Sequence, residues 1–524
     1  MPSSTTFSTV EGSTRLNAVE WGGLVVIVLG GIWLRARPLS ESLWIDELHT
    51  AWAAAGNLVE VVPRASLGNQ SPLYPWLVWI TTKLLGTSEA TVRLISFLAG
   101  VALIPTGFLV GKRWSQSNDL GLLVAFLIAI DPHSIYFSQE ARPYALVQWV
   151  SLLQIATFAR LSDPASRQPL PRDRLLLIGL TTLLFYLHYT SLLLIAGELV
   201  YLGIAYLLNW VRVREVIVPR LVELVAVGAA TIPAWTHLLQ IAARRGNWAR
   251  FVPQQSLGQL YYLFRFDAFV VIPGTICLVL LGIAWLRGKR WSLTQLIVRS
   301  LLLTGCCLMT PLLLAWWLTD WDLFRLFFRR YLMGMATLPM VFAGLLGSFL
   351  PKWAGGRWIY AAVVSICAVG VLFPMQPALI DGIPHWHTQE DWRAAIAFVN
   401  QQETENHWPV FVRSGLIEDD QLRTESPSAE LRAYCLFPIG SLYRLEARSG
   451  AIEPLPSTES WQLNEQQRSE IVESEGAWIV VRGSEDTVQR MARQLVDWLQ
   501  RHDIHVQLRR WAFGHVGVLR VSVR

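Results

Sequence analysis

Long apolar runs recur along this chain from residue 19 to about residue 376, and nothing else in the sequence constrains its fold as strongly. A segment needs roughly 20 apolar residues to cross a bilayer. Inside the bilayer its backbone amides must be satisfied internally, so runs of this length and composition are helices. The sequence therefore predicts an α-helical polytopic membrane protein. Composition agrees: 53% of the 524 residues are apolar and only 16% are charged, against about a quarter charged in soluble domains. The 25 tryptophans often flank the runs, as amphipathic rings do at headgroup level. The net charge of +5 is no argument for a nucleic-acid partner, because basic residues orient such a chain in its membrane. Cys277, Cys306, Cys307 and Cys367 fall in apolar runs and Cys435 stands alone in the polar C-terminal part. They supply neither a disulfide framework nor a zinc spacing. Residues 1–18 read as a short cytoplasmic tail rather than a removed signal peptide.

The order of basic loops sets the expected topology. If Ser71–Gly86 lies flat in the interface, five basic clusters share one side: Lys112 with Arg113; Arg167, Arg172 and Arg174; Arg212, Arg214 and Arg220; Arg287, Lys289 and Arg290; Lys352 with Arg357. Short Lys/Arg-rich loops sit in the cytoplasm. About eleven spans follow, near 19–37, 90–111, 119–131, 143–161, 174–189, 191–210, 217–240, 267–287, 295–318, 331–350 and 357–376. They form one transmembrane domain, 19–376, of a protein in the plasma (inner) membrane, with a cytoplasmic N-terminus and a large external loop at 38–89. From Pro384 the runs stop, and helix-like and strand-like periods mix. That predicts a small α/β domain, 384–524, outside the bilayer.

This topology gathers charges at the outer ends of the spans, where the positive-inside rule does not explain basic residues and where charge is costly unless paired or functional. In LWIDELHTAW, Leu43 to Trp52, Asp46 and Glu47 are adjacent, and helical neighbours point about 100° apart. One can serve as a general base while the other makes a structural contact. Desolvation is expected to raise such a carboxylate toward the range useful for proton transfer. Asp46 as a plain helix cap is the alternative. His49 follows closely.

In SIYFSQEARPYAL, Glu140 and Arg142 precede a helix start at Pro143. They read either as a cap with a local ion pair or as a contact to an anion or sugar. In WDLFRLFFRRYLMG, Arg325 and Arg329 are expected on one helical face, with Arg330 beside it. Guanidinium forks suit phosphate, and a lipid-linked phosphate arrives at that depth; snorkelling to headgroups is the alternative. Asp320-Trp-Asp322 has the D-x-D form that can hold a divalent cation, which leaves such a cofactor open. His385 and His387 are metal-ligand candidates or connector residues. His188, Arg244, Arg245 and Arg250 complete the outer set, with Tyr261 and Tyr262 as stacking or anchoring rings.

These motifs resemble those of the GT-C glycosyltransferases, in the protein O-mannosyltransferase and aminoarabinose-transferase branch. NQSPLYPWL, with Tyr74, is similar to the H-P-P-L-Y-Y stretch of that branch's first external loop, from which it departs at Asn69-Gln70-Ser71. SQEARPYAL is similar to its E-x-R-x-Y motif. HYTSLLL, from His188, and RRYLMGMATLP, with Arg329, Arg330 and Tyr331, are similar to its later motifs. The resemblance covers about residues 20–350. It implies an integral-membrane enzyme that moves a sugar from a polyprenyl-phosphate donor to a glycan, lipid or protein acceptor on the outer face, with Asp46 as base and Glu47 assisting. Donor contacts would fall to Glu140, Arg142, His188, Arg325, Arg329, Arg330 and Tyr331, and acceptor or loop contacts to His49 and Tyr74.

Three other functions stay open at this stage. A ligase would draw on a lipid diphosphate. A transporter or flippase would show repeats and mid-span charges. A scaffold would carry no chemistry at the carboxylates.

Overall fold

The computed structural model describes residues 16–37, 39–163, 170–246, 252, 254, 256–288, 294–350, 356–373, 390–402, 408–423, 427–446, 452–457 and 463–524. Residues 1–15, the loop basics Arg167, Lys289, Arg290 and Lys352, Arg250, and the His385 and His387 pair lie outside this set.

Nine helices open the chain: α1 (Ala18–Ala36), α2 (Ile45–Ala55), α3 (Val61–Leu67), α4 (Leu73–Leu85), α5 (Glu89–Ser115), α6 (Asn118–Ile130), α7 (Pro132–Ser138), α8 (Tyr144–Leu161) and α9 (Pro171–Leu187). Their starts follow local chemistry. Asn17 and Glu20 form a reciprocal capping box on α1. Ser88 accepts the Thr91 N–H at the head of α5, and Asp131 does the same for Ser134 at the head of α7. Glycines let α5 and α6 approach closely, since a Cβ on Gly107 would lie 2.3 Å from Ile128 and one on Gly121 2.9 Å from the Phe108 carbonyl. Where α6 ends, the buried Arg35 donates to the carbonyls of Ile128 and Ala129, which have no helical partner.

Over the described residues, each of the eleven stretches expected to cross the membrane is mainly helical. Six helices among the described residues are long and apolar enough to cross it, or up to eight if each of two bent pairs is one span. The bent pairs are α6 with α7, and Arg329–Met335 with Leu338–Phe349. The chain is a multi-pass membrane protein. Ser71–Gly86 contains the short helix α4, whose 13 residues are too few for an untilted span.

The C-terminal part holds a five-stranded sheet in the order β2-β1-β3-β5-β4, from β1 (Val410–Arg413), β2 (Ile452–Pro454), β3 (Gly476–Arg482), β4 (Val506–Phe513) and β5 (Val516–Val523). β1 is parallel to both its neighbours, while β3–β5 and β4–β5 are antiparallel. Because strand side chains alternate, β3 serves two cores. Ile479 and Val481 pack on Val488, Leu495 and Leu499 of the helix Glu485–Gln500. Trp478 and Val480 belong to the core that also contains Trp392, Tyr434, Phe437 and the membrane helices. The sheet is thus docked on the loop that carries α2.

Candidate active site

Helix α2 starts at Ile45, so Asp46 and Glu47 both stand in its first turn, where the positive end of the helix dipole favours carboxylates. The angle between neighbouring residues sends them to different surroundings. Glu47 is fully buried. Its Oε1 accepts from Arg93 Nε at 2.8 Å and from the Ala141 N–H at 2.7 Å, and its Oε2 from Arg93 Nη2 at 2.6 Å. Arg93, on α5, spends its remaining donors on the carbonyls of Leu39, Glu41 and Ser42. The pair therefore ties the 39–42 turn, α2 and the 140–142 turn together, and Glu47 does not line the cavity beside it.

Asp46 does line that cavity, which has a volume of about 850 Å³. The carboxylate is 30% exposed and meets Arg330 Nη1 at 2.9 Å, across 284 residues of sequence. The Arg330 guanidinium lies over the rings of Trp44 (5.2 Å) and Phe328 (5.7 Å), within the range of cation–π attraction. Arg142 also lines the cavity, with its Nη1 3.4 Å from the Asp46 carbonyl. Its Nε is buried without an acceptor among the described residues. Tyr74 Oη lies 2.7 Å from Ser96 Oγ, which donates to the Arg142 carbonyl at 2.7 Å. His188 Nδ1 lies 2.7 Å from Thr190 Oγ1, which donates to the Tyr331 carbonyl at 2.6 Å. Asp46, Tyr74, Arg142, His188, Arg330 and Tyr331 thus surround one polar end. Most of the remaining wall is apolar, from Leu193, Leu199, Leu238, Ile241 and Leu314 among others, while Asn69, Gln70, Ser71, Tyr189 and Thr190 add further polar lining.

The electrostatics differ from expectation at Asp46. Burial pushes its pKa up, but the guanidinium groups of Arg142, Arg330 and Arg482 outweigh that and hold it below the usual carboxylate range. The raised value belongs instead to Glu140, which burial pushes up to about 7. Tyr136 donates to its Oε1 at 2.6 Å, and its Oε2 is buried without a donor among the described residues. His49 is buried away from the cavity between Arg64 and Gln70, and burial lowers it to about 4.

The arginine cluster divides. Arg330 lines the cavity, whereas Arg325 pairs with Asp322 at 2.7 Å and Arg329 reaches His133 and the carbonyls of Tyr262 and Leu263. The expected helical face is missing because the chain leaves the helix Gln295–Asp320 there. Thr319 Oγ1 accepts the N–H groups of Leu326 and Phe327, so residues 321–328 form a turn and an extended stretch. Arg244 donates to the Ser66 carbonyl beside the loop that leads into the cavity. Asp320 and Asp322 gather no further ligands: no group of three or more His, Cys, Asp and Glu side chains suited to a metal ion occurs among the described residues.

Sequence reasoning missed Arg93, Trp44 and Arg482. A lone arginine at the head of an apolar run was a usable signal for Arg93. Arg482 comes from the distant sheet, and no local pattern announces it.

The same architecture occurs in solved proteins. The crystal structure of ArnT from Cupriavidus metallidurans in the apo state superposes with a TM-score of 0.53 at 13% identity, covering 96% of this chain and 98% of that one. The chain shares its fold with ArnT. The structure of ArnT bound to undecaprenyl phosphate matches over the same shares of both chains, with a TM-score of 0.51 and 12% identity. No protein-family model and no curated protein matches the sequence. ArnT, an aminoarabinose transferase, belongs to the GT-C superfamily, so the resemblance carried by the short motifs is met at the level of fold.

Proposed function

We propose that this protein is an integral-membrane glycosyltransferase that moves a sugar from a polyprenyl-phosphate donor to an acceptor hydroxyl, working on the outer face of the inner membrane. One observation carries this reading: a carboxylate and two guanidinium groups, from three distant segments, converge in a cavity whose remaining wall is mostly apolar. A phosphate on a prenyl chain matches both ends at once. The ArnT fold, solved with undecaprenyl phosphate bound, supports the same class of donor.

In this reading eleven spans carry the site between a cytoplasmic N-terminal tail and an external C-terminal domain, and both the 38–89 loop and that domain lie outside. Arg142 and Arg330 hold the donor phosphate. Fixed cations aimed at charge that grows on a leaving group contribute roughly 3 kcal/mol each in a water-poor site. Asp46 is ionised before substrate arrives, so it can accept a proton without first losing one. Its base strength is low while both arginines face it. A seated phosphate draws on those same guanidinium groups and weakens their hold, so the base strengthens as the donor docks. Asp46 then takes the acceptor hydroxyl proton as the oxygen attacks C1, the C1–O bond to phosphate breaks, and the prenyl phosphate leaves with inversion. Glu47 supports Asp46 through its grip on Arg93.

The test is transfer from a prenyl-phosphate sugar by purified protein in proteoliposomes. Asp46→Asn is close to isosteric and cannot take the proton, and it is expected to lower the rate about 10²–10⁴-fold. Wild-type turnover by that variant would remove Asp46 from the base role. Activity with diphosphate donors alone would reassign the donor class.

A further inference from the structure

The start of α2 is capped only weakly from its own neighbourhood, where the Trp44 N–H lies 3.4 Å from Glu47 Oε2. Trp44 occupies the N-cap position and offers no side-chain acceptor to the first turn. The acceptor for the Ile45 N–H comes instead from Glu390, 345 residues on, whose Oε2 lies 3.0 Å away. The same oxygen accepts from Trp392 Nε1 at 3.0 Å, and Oε1 accepts from Arg482 Nε at 2.8 Å. Glu390 is buried, so these bonds are made out of water, where each is hard to replace. Two residues before Ile45, the Leu43 N–H donates to Tyr443 Oη at 2.8 Å. The Arg393 N–H reaches Ser42 Oγ at 3.3 Å, and its side chain the Ser40 carbonyl at 3.0 Å. Further along α2, His49 and Trp52 pack on Tyr434 and Phe437. Asp46 is the residue directly after the capped amide.

We propose that the C-terminal domain sets the position of Asp46, with Glu390 as the positioning residue that caps α2 from a distance and Tyr443 as its second hold. The proposal rests on the reading of Asp46 as the reacting carboxylate. Glu390 touches neither donor nor acceptor. It fixes where the first turn of α2 begins, and so the distance of the Asp46 carboxylate from Arg330 and from the cavity. A misplacement of about 1 Å in such a group costs roughly 10²-fold in rate.

Two readouts on the purified full-length chain test this. The first is hydrogen–deuterium exchange over residues 40–52, which needs no activity. Glu390→Ala is expected to speed exchange there and leave the long membrane helices unchanged. The second is turnover. Glu390→Ala is expected to lower kcat roughly 10²-fold with donor KM near wild type, and Glu390→Gln, which keeps an acceptor for the Ile45 N–H, is expected to restore most of the loss. If Glu390→Ala fails to fold, Tyr443→Phe carries the same two tests through Leu43. Unchanged exchange over 40–52 overturns the proposal. So does wild-type kcat in a variant with faster exchange, provided Asp46→Asn is inactive. If Asp46→Asn is fully active while exchange rises as expected, the base assignment has failed and the capping has not.

Discussion

Glu47 and Arg93 form a fully buried ion pair at 2.6 Å, and it anchors the helix turn from which Asp46 projects. The pair joins α2 to α5, so removing one partner leaves the other charged, out of water and without its counter-ion. Breaking such a pair costs about 3–5 kcal/mol. Glu47→Ala and Arg93→Ala are each expected to lower the thermal midpoint sharply. A Glu47→Leu/Arg93→Met double variant should melt higher than either single variant, because no lone charge remains. A double-mutant cycle of melting temperatures in detergent measures this.

Arg330 is expected to tolerate lysine poorly. A compact ammonium lacks the planar fork with which Arg330 meets Asp46 while its guanidinium also sits over Trp44 and Phe328. A charge-assisted hydrogen bond is worth about 1.5–3 kcal/mol, which sets a fall of roughly 10–100-fold in kcat/KM for Arg330→Lys. Steady-state kinetics over a donor titration decides it. A wild-type value would mean that charge alone, not planar geometry, is used at this position.

Glu140 predicts a pH effect on stability opposite to that of a salt-bridged carboxylate. Its folded value is raised to about 7 by burial, above the ordinary carboxylate value of about 4.3. Between the two, the unfolded chain has released a proton that the folded chain still holds, so stability falls as pH rises through that window and levels off above it. Glu140→Gln keeps an oxygen for Tyr136 and cannot ionise. It should raise the melting temperature at pH 8 relative to wild type and change it little at pH 5. Equal shifts at both pH values would mean that Glu140 does not titrate in this window.

The apolar end of the cavity should report on the prenyl chain. Ala196 lines that end, and Ala196→Trp fills part of it. The donor KM is expected to rise for long-chain prenyl donors and to change less for a donor truncated to one or two isoprene units. Parallel kinetics with both donors separates the outcomes, and an equal effect on both would place the chain elsewhere.

The membrane helices were legible because periodic apolar length is a local property. The same holds for the acids and arginines at the ends of the apolar runs, which stand out against a greasy background. What could not be read were pairings made at long range. The 321–328 turn defeats helical spacing because Thr319 captures the amides that would have continued the helix. The division of labour between Asp46 and Glu47 depends on Arg93, which sits 46 residues beyond Glu47. The low value of Asp46 depends on three arginines, from the 140–142 turn, the bent helix pair and β3. Burial alone, the only factor visible in the sequence, gives the opposite direction.

The distance from Ile45 to its acceptor at Glu390 also orders events during biosynthesis. A nascent chain threads its helices into the bilayer while the residue that completes α2 has yet to be translated. On the proposed role of Glu390, the Asp46 carboxylate takes its final place only once that residue has been made and the sheet has docked. A chain cut short before Glu390 is then expected to keep its apolar helices and lose the long-range cap on Ile45, which faster hydrogen–deuterium exchange over residues 40–52 would report.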